Sequence, residues 1–561
     1  MFSSFHAYDD EGYYLANLHD YLTGHPLLTS YAQVYGPFFY EFYGGLFKLL
    51  GLAPDNDAGR IVTAAAWLLA SLGGGVVAYR LTRQLWLALA SQLLTFSLLS
   101  AMTSEPMGTY GIVSVLLLAA IGAATYRASQ PRASAVVIGA AVGALCLIKI
   151  NVGGFAAIAV VFAWAVGLDR RRRWLALAPL LGVMALVPFV LMSALLATQG
   201  SVLDFALVTA LSVGALGIAG ASSPQTPSSV PWFVAGGAVV AAASIGVALL
   251  GGTHAGDLWT GLVAAGLRFP QLFTVPLSVT PVHVVVAALS LVAAALRRPA
   301  GGLVRVGVGF FMLLSLVWMP NEIFMAGVPL AWLAIRAPEG DDPAGPYARA
   351  LVAALAVLEP LQAYPIAGTQ ASMAGFCLIP VGALILGDGL RQLAAVRVPR
   401  VAWVAPALLA IDVAVVMILA LTTTAAYVRG VPLGVPGAQQ VRLPARDASD
   451  VRQLVAAIDQ GCSGFITYPG MNSLYIWTAQ EQPTPVRVEI WWLVLDEAQQ
   501  TSLVQELSGK PRLCAVKNQR VIDMWAAGRQ VPDTPLVDFI GRSFVHQGTY
   551  GDYELLVSST S

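Results

Sequence analysis

The residues best suited to chemistry stand near the start of the sequence, where three carboxylates follow one another in Asp9-Asp10-Glu11. Carboxylates at a surface can remove a proton from a hydroxyl group, bind a divalent cation or orient an acceptor hydroxyl. An acidic turn that caps a helix has the same composition, because Asp before an apolar helix is a common N-cap. The triplet alone therefore leaves catalysis and capping as alternatives. Tyr35 belongs to the aromatic run 31–43 that follows and is a candidate substrate contact.

A further carboxylate, Glu105, lies in the short connection 103–108 between two apolar segments. A carboxylate so close to a bilayer is costly unless it has a partner. Two acidic elements from separate loops suit a site for a divalent cation or a phosphate-bearing donor, whereas a lone carboxylate at a helix start is explained by the helix dipole. Asp10 and Glu105 are thus the candidate ligands for Mg²⁺, Mn²⁺ or Zn²⁺, and a site without any cofactor is the alternative.

Two more connections carry polar residues that could contact a substrate. Lys149, one of four lysines in the chain, ends an apolar segment two residues before Asn151. Its point charge suits a lipid phosphate, although a lysine at a helix end commonly extends to the interface instead. The segment 359–370 interrupts two apolar runs with two prolines and a glycine. Because broken helix at membrane depth is tolerated only inside protein or along a cavity, we expect Tyr364 and Gln370 to face the site.

Composition identifies an integral membrane protein. The 561 residues are 57% hydrophobic and 11% charged, against about a quarter charged in soluble domains, and the mean hydropathy is +0.71. Basic and acidic residues balance at 31 each, which gives no case for nucleic acid. Apolar runs predict a mostly α, polytopic bundle of about 12 to 14 spans. The predicted spans are 61–80, 84–102, 109–126, 133–150, 153–168, 174–198, 203–220, 230–251, 280–297, 303–319, 322–336, 349–362, 370–388 and 401–424, with 256–278 as a re-entrant or interfacial helix.

Arginines at the ends of these spans orient the bundle. They fall in alternate connections, which the positive-inside rule assigns to the cytoplasm. These arginines are Arg80, Arg83, Arg127, Arg132, Arg170 to Arg173, Arg297, Arg298, Arg336, Arg349, Arg391, Arg397 and Arg400. The other connections are 1–60, 103–108, 149–151, 320–322, 359–370 and everything after about 425. Every candidate chemical residue therefore falls on the outer side, which the hydropathy pattern alone did not require.

The chain divides into three predicted parts. Residues 1–60 form a first extracytoplasmic loop with the acidic motif and amphipathic helices, 61–424 the transmembrane domain, and 425–561 an extracytoplasmic α/β domain. A polar loop of this kind normally hangs between two spans, so we expect a transmembrane helix to precede Met1. Cys462 and Cys514 share the C-terminal part, where a disulfide is an open alternative. The loop 468–478 follows a predicted strand and suits either sugar binding or packing onto the membrane part.

The acidic motif resembles a known family. Asp10-Glu11 followed by Gly12 to Leu15, the later Gly24 and the aromatic segment around Pro37 resemble the GT-C superfamily of polytopic glycosyltransferases. Similar groups are the dolichyl-phosphate-mannose protein mannosyltransferases, the lipid A aminoarabinose transferase and the lipopolysaccharide-sugar transferases. The segments around Glu105 and Lys149 also resemble family positions, and 465–473 resembles C-terminal domains of bacterial members.

The resemblance implies a reaction and a role for each matching residue. A polyprenyl-phosphate sugar and an acceptor meet at the outer face of a bacterial inner membrane. Asp10 is then the catalytic base, Glu11 its neighbour in the motif, and Glu105 the second acidic group that binds acceptor, metal or donor phosphate. Lys149 lies near the lipid phosphate, and Asp9 leaves the identity of the base open between two aspartates.

The prediction is a membrane glycosyltransferase that moves a sugar, with inversion, to a lipid, glycan or protein of the cell envelope. A transporter or flippase of lipid-linked sugars would place its polar residues near the bilayer midplane in repeated broken helices, and no repeat is apparent. A polymerase or ligase would share the outer-face site. A scaffold whose C-terminal domain binds a partner is the non-enzymatic alternative.

Overall fold

The computed structural model describes most of the chain. The described residues are 1–28, 35–227, 229–264, 266–267, 273–296, 300–317, 322–340, 342–478, 480, 483–484 and 490–559. Several residues used in the sequence analysis lie outside them, namely part of the aromatic run 31–43, Arg297, Arg298 and 320–321.

Helices dominate the part of the chain up to residue 429, as predicted. They are α1 (Asp10–Leu22), α2 (Pro37–Leu50), α3 (Asn56–Thr82), α4 (Leu85–Ser100), α5 (Tyr110–Ala124), α6 (Pro131–Ile148), α7 (Ile150–Gly167), α8 (Arg170–Leu191), α9 (Gly200–Gly220), α10 (Val230–Leu250), α11 (Ala255–Trp259), α12 (Pro281–Ala295), α13 (Gly302–Val317), α14 (Pro346–Leu358), α15 (Gln370–Ala374), α16 (Leu378–Ala395) and α17 (Val404–Arg429). Among the described residues, eight helical stretches are long and apolar enough to cross a membrane, and four shorter apolar helices accompany them. The protein is a multi-pass membrane protein with a mostly helical body, which confirms the predicted fold class.

Two predicted spans and the predicted re-entrant or interfacial helix have a different form. The run 322–336 forms two 3₁₀ helices, Glu322–Ala326 and Val328–Ala334, because Gly327 and Pro329 interrupt it. The run 349–362 is divided between α14 and the 3₁₀ helix Glu359–Ala363, since Pro360 cannot continue an α-helix. The described part of 256–278 is α11 with a π-helical turn, Thr260–Ala264, and an extended segment. In that segment, Val275 forms a parallel bridge with Ile366.

The first loop forms two short helices that lie against the bundle. Residues 11–18 of α1 are all buried, and α2 adds Phe39, whose ring lies 5.7 Å from that of Tyr14. Between the helices, the Gly36 N–H donates to the Ile148 carbonyl at 3.0 Å. A Cβ at Gly36 would lie 2.1 Å from the Leu147 carbonyl oxygen, so only glycine permits this approach. The contact fixes Tyr35 beside the end of α6.

The C-terminal part is an α/β unit that begins directly after α17. Its elements are β1 (Val431–Pro432), β2 (Arg442–Leu443), α18 (Ala445–Gly461), β3 (Gly464–Tyr468), α19 (Leu474–Trp477), α20 (Trp491–Val494), α21 (Glu497–Ser508), β4 (Leu513–Lys517), α22 (Gln519–Ala526), α23 (Pro535–Ser543), β5 (Phe544–Tyr550) and β6 (Tyr553–Ser558). A four-stranded sheet has the order β3-β4-β6-β5. Only the pair β3 and β4 is parallel. Strand β5 and helices α22 and α23 were not predicted.

Both faces of this sheet are covered. Phe465 and Ile466 alternate along β3, as side chains on a strand do, and belong to two separate buried clusters. A disulfide joins Cys462, just after α18, to Cys514 on β4, which decides between the two alternatives left open by the sequence.

Residues 1–9 pack with the C-terminal domain. Phe2, Phe5 and Ala7 lie against its buried cluster, and the Arg442 N–H donates to the Phe2 carbonyl at 2.8 Å. Residues of α1 and α2 pack in the buried cluster of the membrane part instead, and the predicted division of the chain at residue 60 stays a prediction.

Two of the predicted cytoplasmic arginines, Arg349 and Arg391, meet at Asp388 at the other end of the bundle. Arg349 forms two hydrogen bonds with the Asp388 carboxylate, at 2.8 and 2.9 Å, and Arg391 reaches both Asp388 and the Thr82 carbonyl. These contacts join the ends of three helices predicted to lie on the same side.

Candidate active site

The centre of the candidate site is a pair of carboxyl groups. Asp10 is the first residue of α1, and Glu105 lies in the connection between α4 and α5. Their carboxyl groups lie within hydrogen-bond distance of each other. The sequence predicted both residues as part of one site, and the structure brings them together from separate connections.

A third connection adds a hydroxyl group to this pair. Thr369, directly before α15, donates its hydroxyl to Glu105 Oε1 at 2.5 Å. The Tyr110 hydroxyl lies 2.9 Å from the same Thr369 oxygen. Because Thr369 has a single hydroxyl proton and gives it to Glu105, Tyr110 is the donor in this contact. Glu105 is thus held by a chain of two hydroxyl groups, Thr369 and Tyr110.

Two tyrosines from the first loop, Tyr14 and Tyr35, lie beside the carboxyl pair of Asp10 and Glu105. The Tyr14 hydroxyl donates to the Tyr35 hydroxyl at 3.0 Å. Both tyrosines interact electrostatically with Asp10 and Glu105. Tyr35 therefore lies beside the carboxyl pair, and its contact with substrate stays a prediction.

Lys149 supplies a positive charge to the same region. It lies between α6 and α7, and its ammonium group interacts electrostatically with Glu105 and Glu359. Among the described residues, neither Lys149 Nζ nor Glu359 Oε1 has a hydrogen-bond partner, although both atoms are buried. A buried ammonium group without hydrogen bonds is costly, so this position favours an anionic ligand.

Burial controls the charge of these groups. It raises the pKa of Glu105 from its ordinary 4.5 to about 8, and the nearby Asp10 adds to the shift while Thr369 and Lys149 oppose it. Burial also lowers the pKa of Lys149 from 10.5 to about 8, with Glu105 and Glu359 opposing the shift. Near neutral pH, the carboxyl pair therefore holds one proton while Lys149 remains charged.

Glu11 has a structural environment. Arg60 on α3 donates to both of its carboxylate oxygens, at 2.8 and 2.7 Å, and both side chains are buried. Arg60 also donates to the carbonyl groups of Met1 and Ser4. With both oxygens occupied, Glu11 anchors the motif to α3, and the catalytic role predicted for it gains no support from these contacts.

Asp9 is an N-cap, the alternative that the sequence analysis kept for this triplet. Its Oδ1 accepts a hydrogen bond from the Gly12 N–H at 2.9 Å, and both of its oxygens accept hydrogen bonds from Ser473. The Asp9 side chain is 2% exposed. Both Asp9 oxygens are therefore occupied within the protein, whereas the Asp10 carboxyl group lies beside Glu105, and the choice between the two aspartates as the base stays a prediction.

The remaining predicted residues lie nearby without joining the carboxyl pair. Asn151 accepts a hydrogen bond from the Val152 N–H at the start of α7. Tyr364 is buried, with no hydrogen-bond partner for its hydroxyl among the described residues, and Gln370 begins α15. Their roles in substrate binding stay predictions.

Sequence reasoning missed two residues that contact the pair. Thr369 immediately precedes Gln370, and Tyr110 follows the connection that holds Glu105. Both lie in or beside connections already assigned to the outer face. Their position in these connections could have identified Thr369 and Tyr110 from the sequence. Tyr364 and Gln370 were predicted instead because of their side-chain type.

Oxygen atoms are the only donors that the pair offers to a metal. Across the described parts of the chain, no group of three or more His, Cys, Asp or Glu side chains is arranged to hold a metal ion. The Asp10 and Glu105 carboxylates with the Thr369 hydroxyl are oxygen donors, which suit Mg²⁺ or Mn²⁺ better than Zn²⁺. A cation there would need further ligands from substrate or water.

No protein-family model matches the chain, and no curated protein matches it. Among solved structures, it is similar to the oligosaccharyltransferase AglB of Archaeoglobus fulgidus in complex with an inhibitory peptide and a dolichol-phosphate. That alignment has 12% identity and a TM-score of 0.42, and covers 98% of this chain and 70% of the other. The apo form of an Archaeoglobus fulgidus oligosaccharyltransferase aligns with 12% identity and a TM-score of 0.41, covering 99% and 71%. The roles of the site residues therefore rest on the contacts described above.

Proposed function

We propose that this protein is a polytopic membrane glycosyltransferase of the GT-C type that transfers a sugar from a polyprenyl-phosphate donor to an acceptor hydroxyl of the cell envelope. The observation that carries the proposal is the meeting of Asp10, Glu105 and Thr369 with the Lys149 ammonium group. Such an arrangement joins a base for the acceptor to a positive charge for the phosphate.

In the proposed reaction, Asp10 accepts the proton of the acceptor hydroxyl while the oxygen of that hydroxyl attacks the anomeric carbon of the sugar. The bond from that carbon to the phosphate oxygen breaks on the opposite face, and the configuration inverts. Lys149 balances the negative charge on the departing polyprenyl phosphate. Glu105, held by Thr369, keeps the Asp10 carboxylate directed into the site.

A divalent cation at Asp10 and Glu105 and a site without any cofactor are both compatible with this proposal. Bound Mg²⁺ or Mn²⁺ would supply positive charge for the phosphate group, and Asp10, Glu105 and Thr369 are the residues that would hold it.

The proposed location is a bacterial inner membrane, with the site and the C-terminal domain on the outer side. The disulfide between Cys462 and Cys514 supports this orientation, because disulfides persist in oxidising compartments. The arginines at the other end of the bundle support the same orientation.

The test is a transfer assay with purified protein in lipid nanodiscs and a panel of polyprenyl-phosphate sugars. Asp10→Asn should lower turnover at least about a hundredfold, since general base catalysis contributes about 10² to 10⁴. Asp538→Asn is the matched control, because Asp538 forms an exposed ion pair with Arg542 far from the motif. Near-normal turnover by Asp10→Asn would remove Asp10 as the base. Movement of intact donor across vesicle membranes without transfer would favour the transporter.

A further inference from the structure

The first turn of α1 is held from two sides by neighbours of Asp10. Glu11 is fixed by Arg60 from the membrane part. Asp9 is fixed by Ser473 from the C-terminal domain. Asp10 lies between these two anchors, so the direction of its side chain depends on both.

The Asp9 anchor is a short network of hydrogen bonds. The Ser473 N–H donates to Asp9 Oδ2 at 2.5 Å, and the Ser473 hydroxyl donates to Asp9 Oδ1 at 3.0 Å. The same Asp9 Oδ1 accepts from the Gly12 N–H. Asp9 itself has a φ of 55°, in the left-handed region where a non-glycine residue is held at some cost. The carboxylate thus links the unusual turn before Asp10 to a residue of another domain.

Ser473 is also tied to the start of α3. Its hydroxyl oxygen accepts a hydrogen bond from Asn56 Nδ2 at 3.1 Å. Asn56 Oδ1 in turn accepts from the Trp477 indole N–H at 2.8 Å. Asn56 and Ser473 are both fully buried. Ser473 therefore joins the motif, α3 and the C-terminal domain through a single hydroxyl group.

Backbone packing leaves this junction little freedom. A Cβ on Gly12 would lie 2.1 Å from the Ser473 backbone nitrogen, and one on Gly470 would lie 2.5 Å from the Ala7 carbonyl oxygen. The Met471 N–H donates to the Ala7 carbonyl at 3.1 Å. The loop 470–473 and the turn 7–12 thus form one closely packed unit.

We infer that Ser473 is a positioning residue for Asp10 and acts through Asp9. This inference rests on the proposed function, because it assumes that Asp10 is the base. The C-terminal domain then completes the active site by fixing the direction of a carboxylate that belongs to the first loop. The sequence left two alternatives for the loop 468–478, sugar binding and packing onto the membrane part. The inferred role of Ser473 is a specific form of the second.

The kinetic test compares Ser473→Ala with Asp9→Asn and with the double variant. Ser473→Ala keeps the backbone N–H donor and loses only the hydroxyl, so we expect kcat to fall about tenfold to a hundredfold with KM for the donor within about twofold. If Ser473 acts through Asp9, the double variant should be no slower than the slower single variant. Ser508→Ala is the matched control, since the exposed Ser508 hydroxyl bonds only a carbonyl of its own helix.

Amide hydrogen exchange, measured in the wild type and in Ser473→Ala, provides a second test that does not depend on turnover. If Ser473 holds the turn, the amides of Gly12 to Tyr14 should exchange as slowly as those of β3, and Ser473→Ala should accelerate them while leaving β3 unchanged. Wild-type kcat in Ser473→Ala, or effects that simply multiply in the double variant, would overturn the inference while an inactive Asp10→Asn still supports the proposed function. An active Asp10→Asn would contradict the proposed function, whatever the exchange data show.

Discussion

Asp10 and Glu105 come from different connections, and their carboxyl groups lie within hydrogen-bond distance. Two carboxylates cannot share such a position when both are ionised, so the pair must hold a proton or a cation. A shared proton makes stability depend on pH, whereas a bound cation makes it depend on the cation concentration, so the two possibilities can be distinguished by measurement.

The first prediction concerns pH and stability without divalent cations. Between its ordinary pKa of 4.5 and its raised pKa of about 8, Glu105 is protonated in the folded protein and ionised in the unfolded chain. Folding then takes up a proton, so stability falls as pH rises from about 5 to 8 and levels off above. Thermal unfolding in a chelating buffer should show a steeper fall over this range for the wild type than for Glu105→Gln. Lys149 contributes above this window, because its lowered pKa of about 8 adds stability only as pH rises further. Identical pH dependence in the two proteins would contradict the prediction.

The second prediction concerns divalent cations. If Mg²⁺ or Mn²⁺ binds between Asp10 and Glu105, both carboxylates ionise and the folded state gains the binding free energy. At a cation concentration of about 100 times Kd, the gain is about 2.7 kcal/mol. The wild type should therefore unfold at a higher temperature with the cation, and Glu105→Gln should lose this response. An equal response of both proteins would place the cation elsewhere.

The third prediction concerns the buried ammonium group. A hydrogen bond to a charged group contributes about 1.5 to 3 kcal/mol, so Lys149→Met should weaken binding of a polyprenyl-phosphate donor about tenfold to a hundredfold. Binding can be measured directly with the Asp10→Asn protein as background, which prevents turnover. Lys48→Met is the matched control, because Lys48 is exposed on α2. Unchanged donor affinity in Lys149→Met would assign the lysine to the structure of the bundle.

The fourth prediction separates Glu11 from Asp10. Removing one partner of a buried ion pair costs about 3 to 5 kcal/mol, so Glu11→Gln should lower the unfolding temperature markedly. At a temperature where the variant is folded, its turnover should stay within about tenfold of the wild type, in contrast with Asp10→Asn. The double variant Arg60→Met, Glu11→Gln should recover part of the lost stability, since no charge is then left unpaired. A stable but inactive Glu11→Gln would restore the catalytic role predicted from the motif.

The sequence predicted the outer-face grouping because charge and hydropathy act on whole connections. The alternation of arginines placed Glu105, Lys149 and the segment 359–370 on one side. In the structure, Glu105 interacts with Asp10, with Lys149 and with Thr369 of that segment. The sequence could not assign different roles to Asp9, Asp10 and Glu11, since all three are carboxylates and differ only in their neighbours. Those neighbours, Ser473 and Arg60, are distant in the chain and leave no local pattern.

The fold was predictable where periodicity is strong and less so where helices break. The long apolar helices match the prediction closely, and the strand predicted before the loop 468–478 is β3, Gly464–Tyr468, because each is a continuous run with one pattern. The 3₁₀ helices at 322–334 and 359–363 were read as parts of spans, since hydropathy does not register the hydrogen-bond spacing of the backbone. Three consecutive residues of strand β5, Val545 to Gln547, are all exposed, so the strand lacks the alternation of apolar and polar residues that predicts a half-buried strand.

The bond between Asp9 and Ser473 joins residues 464 positions apart. During synthesis the amino-terminal turn emerges first, and its partner follows only after every membrane helix has been made. A nascent or truncated chain therefore has its acidic motif without the serine that closes it. On the proposed function, full activity is then delayed until the C-terminal domain has folded, and chains without that domain are poor catalysts.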